Sequence, residues 1–150
     1  MIIGVGIDFV EINRIESVFK KWGSVFSRKI LSKKELHFFS SYENSRLPFL
    51  AITYLAKRFA AKEAIGKALG LGIRHPVSFK SIEIFNDQYG RPYPIFNSEL
   101  KKFCDIKNYK FHLSISDQKK YAQAFAIIEV LKKTYIMNLG PLLFAIARSE

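Results

Sequence analysis

A single cysteine, Cys104, stands in 150 residues, so no internal disulfide forms and the chain suits a reducing compartment. No apolar run approaches the length that spans a bilayer, and no membrane association is expected. The first residues lack the basic region and small-residue cleavage site of a signal peptide, so a soluble cytoplasmic protein is expected. There is no internal repeat and no low-complexity tract. Acidic residues are scarce, 13 against 24 Lys and Arg, for a formal charge of +11. Such an excess attracts nucleic acid, anionic membrane or an acidic protein, and sign alone does not choose among them. The length leaves room for one domain with a real core and not for two ordinary ones. What is plentiful is apolar: 49% hydrophobic and 15% aromatic residues exclude disorder.

The stretch from Arg58 to Gly70, RFAAKEAIGKALG, reads as the last three turns of a helix running from about Pro48 to Leu69. Gly70 sits where a left-handed cap closes it. Ile52, Leu55, Ala56, Phe59, Glu63 and Gly66 fall within one narrow arc, which places a carboxylate on an apolar stripe. Burying that charge is expensive unless a cation meets it, and Lys67 stands one turn further on. The same Glu–Lys spacing also describes a solvated helix face. Leu50, Ala61, Ala64, Ile65 and Ala68 lie on the other side, so the helix is expected to be covered on more than one face.

Ile2 to Ile7 reads as a buried strand with Asp8 at its end, Gly4 and Gly6 permitting close backbone approach. Ile12, Ile15, Phe19 and Trp22 recur at helical spacing until Gly23 stops them, with Arg14, Lys20 and Lys21 facing outward. Ser32-Lys-Lys-Glu35 is a capping-box pattern that opens a second helix. The loop from Gly70 to Pro76 offers backbone N–H groups and Arg74 to a phosphate, although most such loops are plain turns. Strands are expected at Ser78 to Phe85 and near Phe96, and a brief helix from Ser98 to Cys104. Phe111, Leu113 and Ile115 alternate with His112, Ser114 and Ser116, aligning three polar side chains that line a site or a half-exposed strand. Tyr121 to Leu131 is a strand whose face of Ala122, Ala124 and Ala126 fits a helix or another subunit. The tail from Thr134 to Glu150 carries no legible chemistry.

Gly6-Ile7-Asp8, five residues, then Arg14, followed downstream by F-A-A-K-E-A, three residues, and A-L-G, resembles the short-type 4′-phosphopantetheinyl transferases, the holo-acyl-carrier-protein synthases. The resemblance covers Met1 to about Leu131, so residues 1–131 are expected to be the transferase domain and 132–150 a tail of unknown role. It implies an α+β fold with antiparallel strands packed around a long central helix, in a homotrimer whose sites are shared between subunits. It implies a Mg²⁺ ion held by Asp8 and Glu63, and transfer of phosphopantetheine from coenzyme A to a serine of an acidic apo-acyl-carrier protein, releasing adenosine 3′,5′-bisphosphate. Two carboxylates from distant elements leave a hard cation free to take water and diphosphate oxygens. Lys67 matches a phosphate-contacting lysine, while Arg58, Gly70 and Gly72 resemble parts of the nucleotide pocket. Arg91-Pro92 resembles the basic-Pro pair near the adenine, His112 a residue lining the site, and Arg14 the residue that meets the carrier protein. The acceptor of the serine proton stays open among a metal-bound water, Glu63 and Asp8. Asp117 stands where some members have His. Two other readings remain: a small basic nucleic-acid-binding module, for the charge, and a Mg²⁺-dependent nucleotide hydrolase, for the carboxylates. The aromatics lie mostly on expected core faces with no basic-aromatic stripe, which argues against nucleic acid.

Overall fold

A computed structural model describes residues 1–131. In chain order it holds β1 (Ile2–Glu11), α1 (Ile12–Trp22), α2 (Ser24–Ile30), α3 (Lys33–Glu43) and α4 (Phe49–Ala68). A 3₁₀ turn (Phe79–Ser81) then leads to β2 (Ile82–Asn86), β3 (Pro92–Phe96), α5 (Ser98–Ile106), β4 (Tyr109–Asp117) and β5 (Tyr121–Val130). The expected tail from Thr134 onward lies outside the described residues.

Three strands form an antiparallel sheet in the order β1–β5–β4, and β2 pairs with β3 as a separate hairpin. Helix α4 lies across one face of the three-stranded sheet. Glycine makes that approach possible: a methyl added at Gly4 or Gly6 would run into the carbonyl oxygen of Ala68 or Ala64. In register beside them, Ala122, Ala124 and Ala126 of β5 are almost wholly buried. The alanine face therefore belongs to a helix of the same chain. Leu55, Ile65, Ile82, Ile84, Leu100 and Ile128 are fully enclosed, each contributing about 1.5–3 kcal/mol by leaving water. Among the described residues no element covers the opposite face of the sheet: Val5, Ile7 and Phe9 are 56, 57 and 58% exposed, and Phe125 40%.

Four local expectations change. Ile2 to Ile7 is not a buried strand: Ile2, Ile3, Val5 and Ile7 are exposed, because only the side of β1 toward α4 is covered. Strand β1 continues to Glu11, so Asp8 is inside the strand and not at its end, held by pairing opposite Ala124. The stretch read as one strand from Ser78 begins as a 3₁₀ turn, because the Ser78 and Ser81 side chains each bond the other's backbone N–H. Helix α2 was not expected; it restarts directly after Gly23, whose φ of 51° ends α1. The Ser32–Glu35 capping box is present in both directions.

Candidate active site

Asp8, Glu63 and Lys67 meet where β1 runs along α4. Asp8 shares the helix-facing side of β1 with Gly4, Gly6 and Val10 by strand alternation. Lys67 Nζ donates to Asp8 Oδ1 at 2.8 Å and to the Ile7 carbonyl at 3.0 Å. Its side chain is half exposed, while that of Asp8 is only 14% exposed. The lysine thus bonds the strand, and not Glu63 on its own helix, because the two glycines let β1 come so close. Glu63 is half-buried. Burial holds its carboxyl above the usual carboxylate range, the Asp8 charge adds to that, and Lys67 opposes it. Among the described residues no group of three or more His, Cys, Asp or Glu side chains converges as a metal cage. Two neighbouring carboxylates suit a magnesium-like ion that keeps waters and completes its shell with substrate phosphates.

The end of α4 is built tightly beside this group. The N–H of Gly70 bonds the Lys67 carbonyl and that of Leu71 the Gly66 carbonyl, a Schellman closure with Gly70 at φ 72°. The Gly72 N–H also returns to Gly66, and a methyl on Gly66 would stand 2.8 Å from the Gly72 carbonyl oxygen. The backbone N–H groups of residues 70 to 72 are therefore engaged in the cap. They are not the free phosphate donors that the glycine pattern led one to expect.

Arg58 projects elsewhere, into a cavity of about 340 Å³ lined by Phe38, Tyr42, Tyr54, Phe85 and Asn86. It is 8% exposed, lies 4.4 Å over the Tyr54 ring and bonds Asn86 Oδ1 at 3.3 Å. Among the described residues its Nε and the Tyr54 hydroxyl are buried without a partner. A buried guanidinium with no carboxylate partner among the described residues calls for an anion. Burial pushes the Tyr54 phenol up to about 12, so it stays a neutral hydroxyl donor. Asn86 also donates to the Gly90 carbonyl and pairs with Pro92, while the Arg91 N–H bonds Asp87. The hairpin thereby sets Pro92 opposite Asn86, the residue that bonds Arg58, while Arg91 and Pro92 do not themselves line the cavity.

His112 is not brought to the carboxylates. It lies on the face of edge strand β4 that no described element covers, 2.8 Å from Glu129, with Ser114 and Ser116 on the same face. Asp8 is on the other edge strand and the other face. Arg14 is exposed on α1. Beyond it, Val18, Trp22, Phe26, Phe59 and Phe79 line an apolar groove of about 430 Å³. Phe59 belongs to the stripe that carries Glu63.

Sequence reasoning missed Lys62. It is fully buried, donating to Glu35 Oε2 at 2.6 Å, the Ile30 carbonyl at 2.7 Å and the Phe79 carbonyl at 2.8 Å. The other Glu35 oxygen takes the Ile84 N–H at 2.9 Å. Burial draws the Lys62 ammonium below its usual range and Glu35 opposes that pull. The available sign was periodicity: positions 51, 55, 58, 62 and 65 form a second seam along α4. Tyr54 and Asn86 were also missed, having no motif of their own.

Residues 4–126 match the profile of the 4′-phosphopantetheinyl transferase superfamily. A holo-[acyl-carrier-protein] synthase of Buchnera aphidicola is 46% identical over 129 residues, covering 85% of this chain and 98% of that one. Its counterpart from Nitrosospira multiformis is 44% identical over 130 residues, covering 86% and 99%. The crystal structure of the Neisseria meningitidis holo-[acyl-carrier-protein] synthase superposes with a TM-score of 0.78 at 40% identity, covering 86% of this chain and 99% of that one. The Bacillus anthracis enzyme, solved in complex with CoA (3′,5′-ADP), gives 0.71 at 38% identity, covering 87% and 99%.

Proposed function

Because the chain belongs to the 4′-phosphopantetheinyl transferase superfamily, we propose that it moves phosphopantetheine from coenzyme A to a serine hydroxyl of apo-acyl-carrier protein. The observation that carries this reading is the convergence of Asp8, Glu63 and Lys67 from a strand and a helix. The serine oxygen forms a bond to the β-phosphorus of coenzyme A as the bridging bond to the α-phosphate breaks. Adenosine 3′,5′-bisphosphate leaves, and the serine proton passes to a base.

Asp8 and Glu63 would hold Mg²⁺, which when bound neutralises the diphosphate as charge develops on it. Lys67, with its half-exposed head, reaches the same diphosphate. Both carboxylates stand on rigid elements, so they need no rearrangement at the moment of transfer. The Arg58 cavity supplies an anion-hungry, aromatic-walled pocket suited to the nucleotide end. Arg14 and the apolar groove beside it offer a charged and greasy docking face to an acidic carrier protein.

The protein acts as a homotrimer in this reading, with each site completed by a second subunit. Two features support that: the apolar sheet face that no described element covers, and the position of His112 on it, away from the carboxylates of its own chain. Among the described residues no helix is long and apolar enough to cross a membrane. Incubating coenzyme A with the protein, with and without apo-carrier protein, tests the whole. Mass gain on the carrier equal to one phosphopantetheinyl group is expected. Coenzyme A cleavage that ignores the carrier would mean a hydrolase, and retention of nucleic acid with no turnover a binding module.

A further inference from the structure

Of the two carboxylates, Asp8 carries an ammonium partner from its own chain. Asp8 is fixed by strand pairing, and the Lys67 ammonium bonds it at 2.8 Å while also taking the Ile7 carbonyl. Glu63 stands one turn earlier on the same helix, at position i−4 from the lysine. The lysine stem springs from the last turn of α4, which the closure around Gly70 and Gly66 anchors. Its base is thus fixed, while its head lies half in solvent. A divalent ion placed on Asp8 with Lys67 still there would lie within a few ångströms of a like charge. Two neighbouring cations on one carboxylate repel strongly enough to weaken metal binding by about tenfold. A diphosphate removes the conflict by offering the ammonium a second anion.

We infer that Lys67 is a resident counter-ion: it occupies the cation position on Asp8 until a diphosphate draws it off, so that metal enters with the diphosphate and not ahead of it. This rests on Asp8 and Glu63 being the metal ligands. It gives Lys67 two successive partners and makes metal and coenzyme mutually dependent, since coupling between two ligands is reciprocal.

The experiment titrates Mn²⁺ alone into the full chain by calorimetry and by electron paramagnetic resonance, then repeats it with coenzyme A after correcting for the ion that coenzyme binds in solution. Lys67→Met and Lys67→Gln are compared with wild type, Gln keeping a polar head without charge, and circular dichroism verifies that each is folded. Both variants should bind Mn²⁺ alone about tenfold more tightly than wild type. Coenzyme A should then raise Mn²⁺ affinity by a much smaller factor in the variants than in wild type. Equal or weaker Mn²⁺ binding by both variants overturns the inference, as does the absence of Mn²⁺ binding in all three proteins. Asp8→Asn separates this from the ligand assignment. If that variant binds Mn²⁺ as wild type does, Asp8 is not a ligand, whatever transfer activity the wild type shows.

Discussion

Replacing Lys62 by Met removes the ammonium that ties α4 to three other elements. In the native protein its three N–H groups go to Glu35, Ile30 and Phe79 at 2.6, 2.7 and 2.8 Å, all in a space closed to water. Met has nearly the same length, so the loss is of charge and donors and not of volume. Two carbonyls are left unpaired, and the Glu35 carboxylate stays buried with only the Ser32 and Ile84 N–H groups. Breaking a buried pair by removing one partner costs about 3–5 kcal/mol. For a chain of this size that corresponds to a fall in Tm of roughly 10 °C or more. Urea unfolding followed by circular dichroism measures it, at one fixed protomer concentration because association itself adds stability. Glu35→Gln and the double variant complete a cycle, and the coupling between the two positions should exceed about 1 kcal/mol. A loss below about 1 kcal/mol for Lys62→Met would refute the reasoning, since an ammonium that matters so little cannot be sealed from water with three bonds.

Asp8→Asn and Glu63→Gln should each lower transfer by about a hundredfold or more, and the double variant should fall little further if both serve one cation, as steady-state kinetics will show. Without metal, Glu63→Gln should unfold at a higher temperature than wild type at pH 7–8. The raised Glu63 carboxyl binds its proton more tightly in the folded state, so stability falls as pH climbs from about 4.5 through the raised value, and scans at pH 4 should show no difference. Arg14→Ala should raise the KM for carrier protein several-fold, leave that for coenzyme A nearly unchanged and flatten the salt dependence; an equal loss for both substrates would move Arg14 into the site. Removal of residues from 134 onward should leave transfer intact, and a folded but inactive truncation would place the tail in the site or its assembly.

The helix carrying Glu63 and Lys67, its glycine cap, the Ser32 capping box and the alternation of β4 and β5 were all legible in the sequence, because each rests on interactions within a few residues. The two motifs that bracket the chain, with their internal spacing, pointed to the family before any coordinates did. What local pattern cannot carry is the identity of a partner distant along the chain. Lys67 reads as a partner for Glu63 one turn away, yet it bonds Asp8, 59 residues earlier, because Gly4 and Gly6 let the strand lie against the helix. The glycines of the loop after α4 read as phosphate donors, yet the helix end claims their N–H groups. Glu35 reads as a cap and is also the counter-charge of Lys62, 27 residues on. By itself the sequence determined most of the helices and strands, though not α2, and the motif residues that could do chemistry, since periodicity and capping are short-range. Only the tertiary structure decided which of those side chains meet, because that depends on how closely the backbones of separate elements can approach.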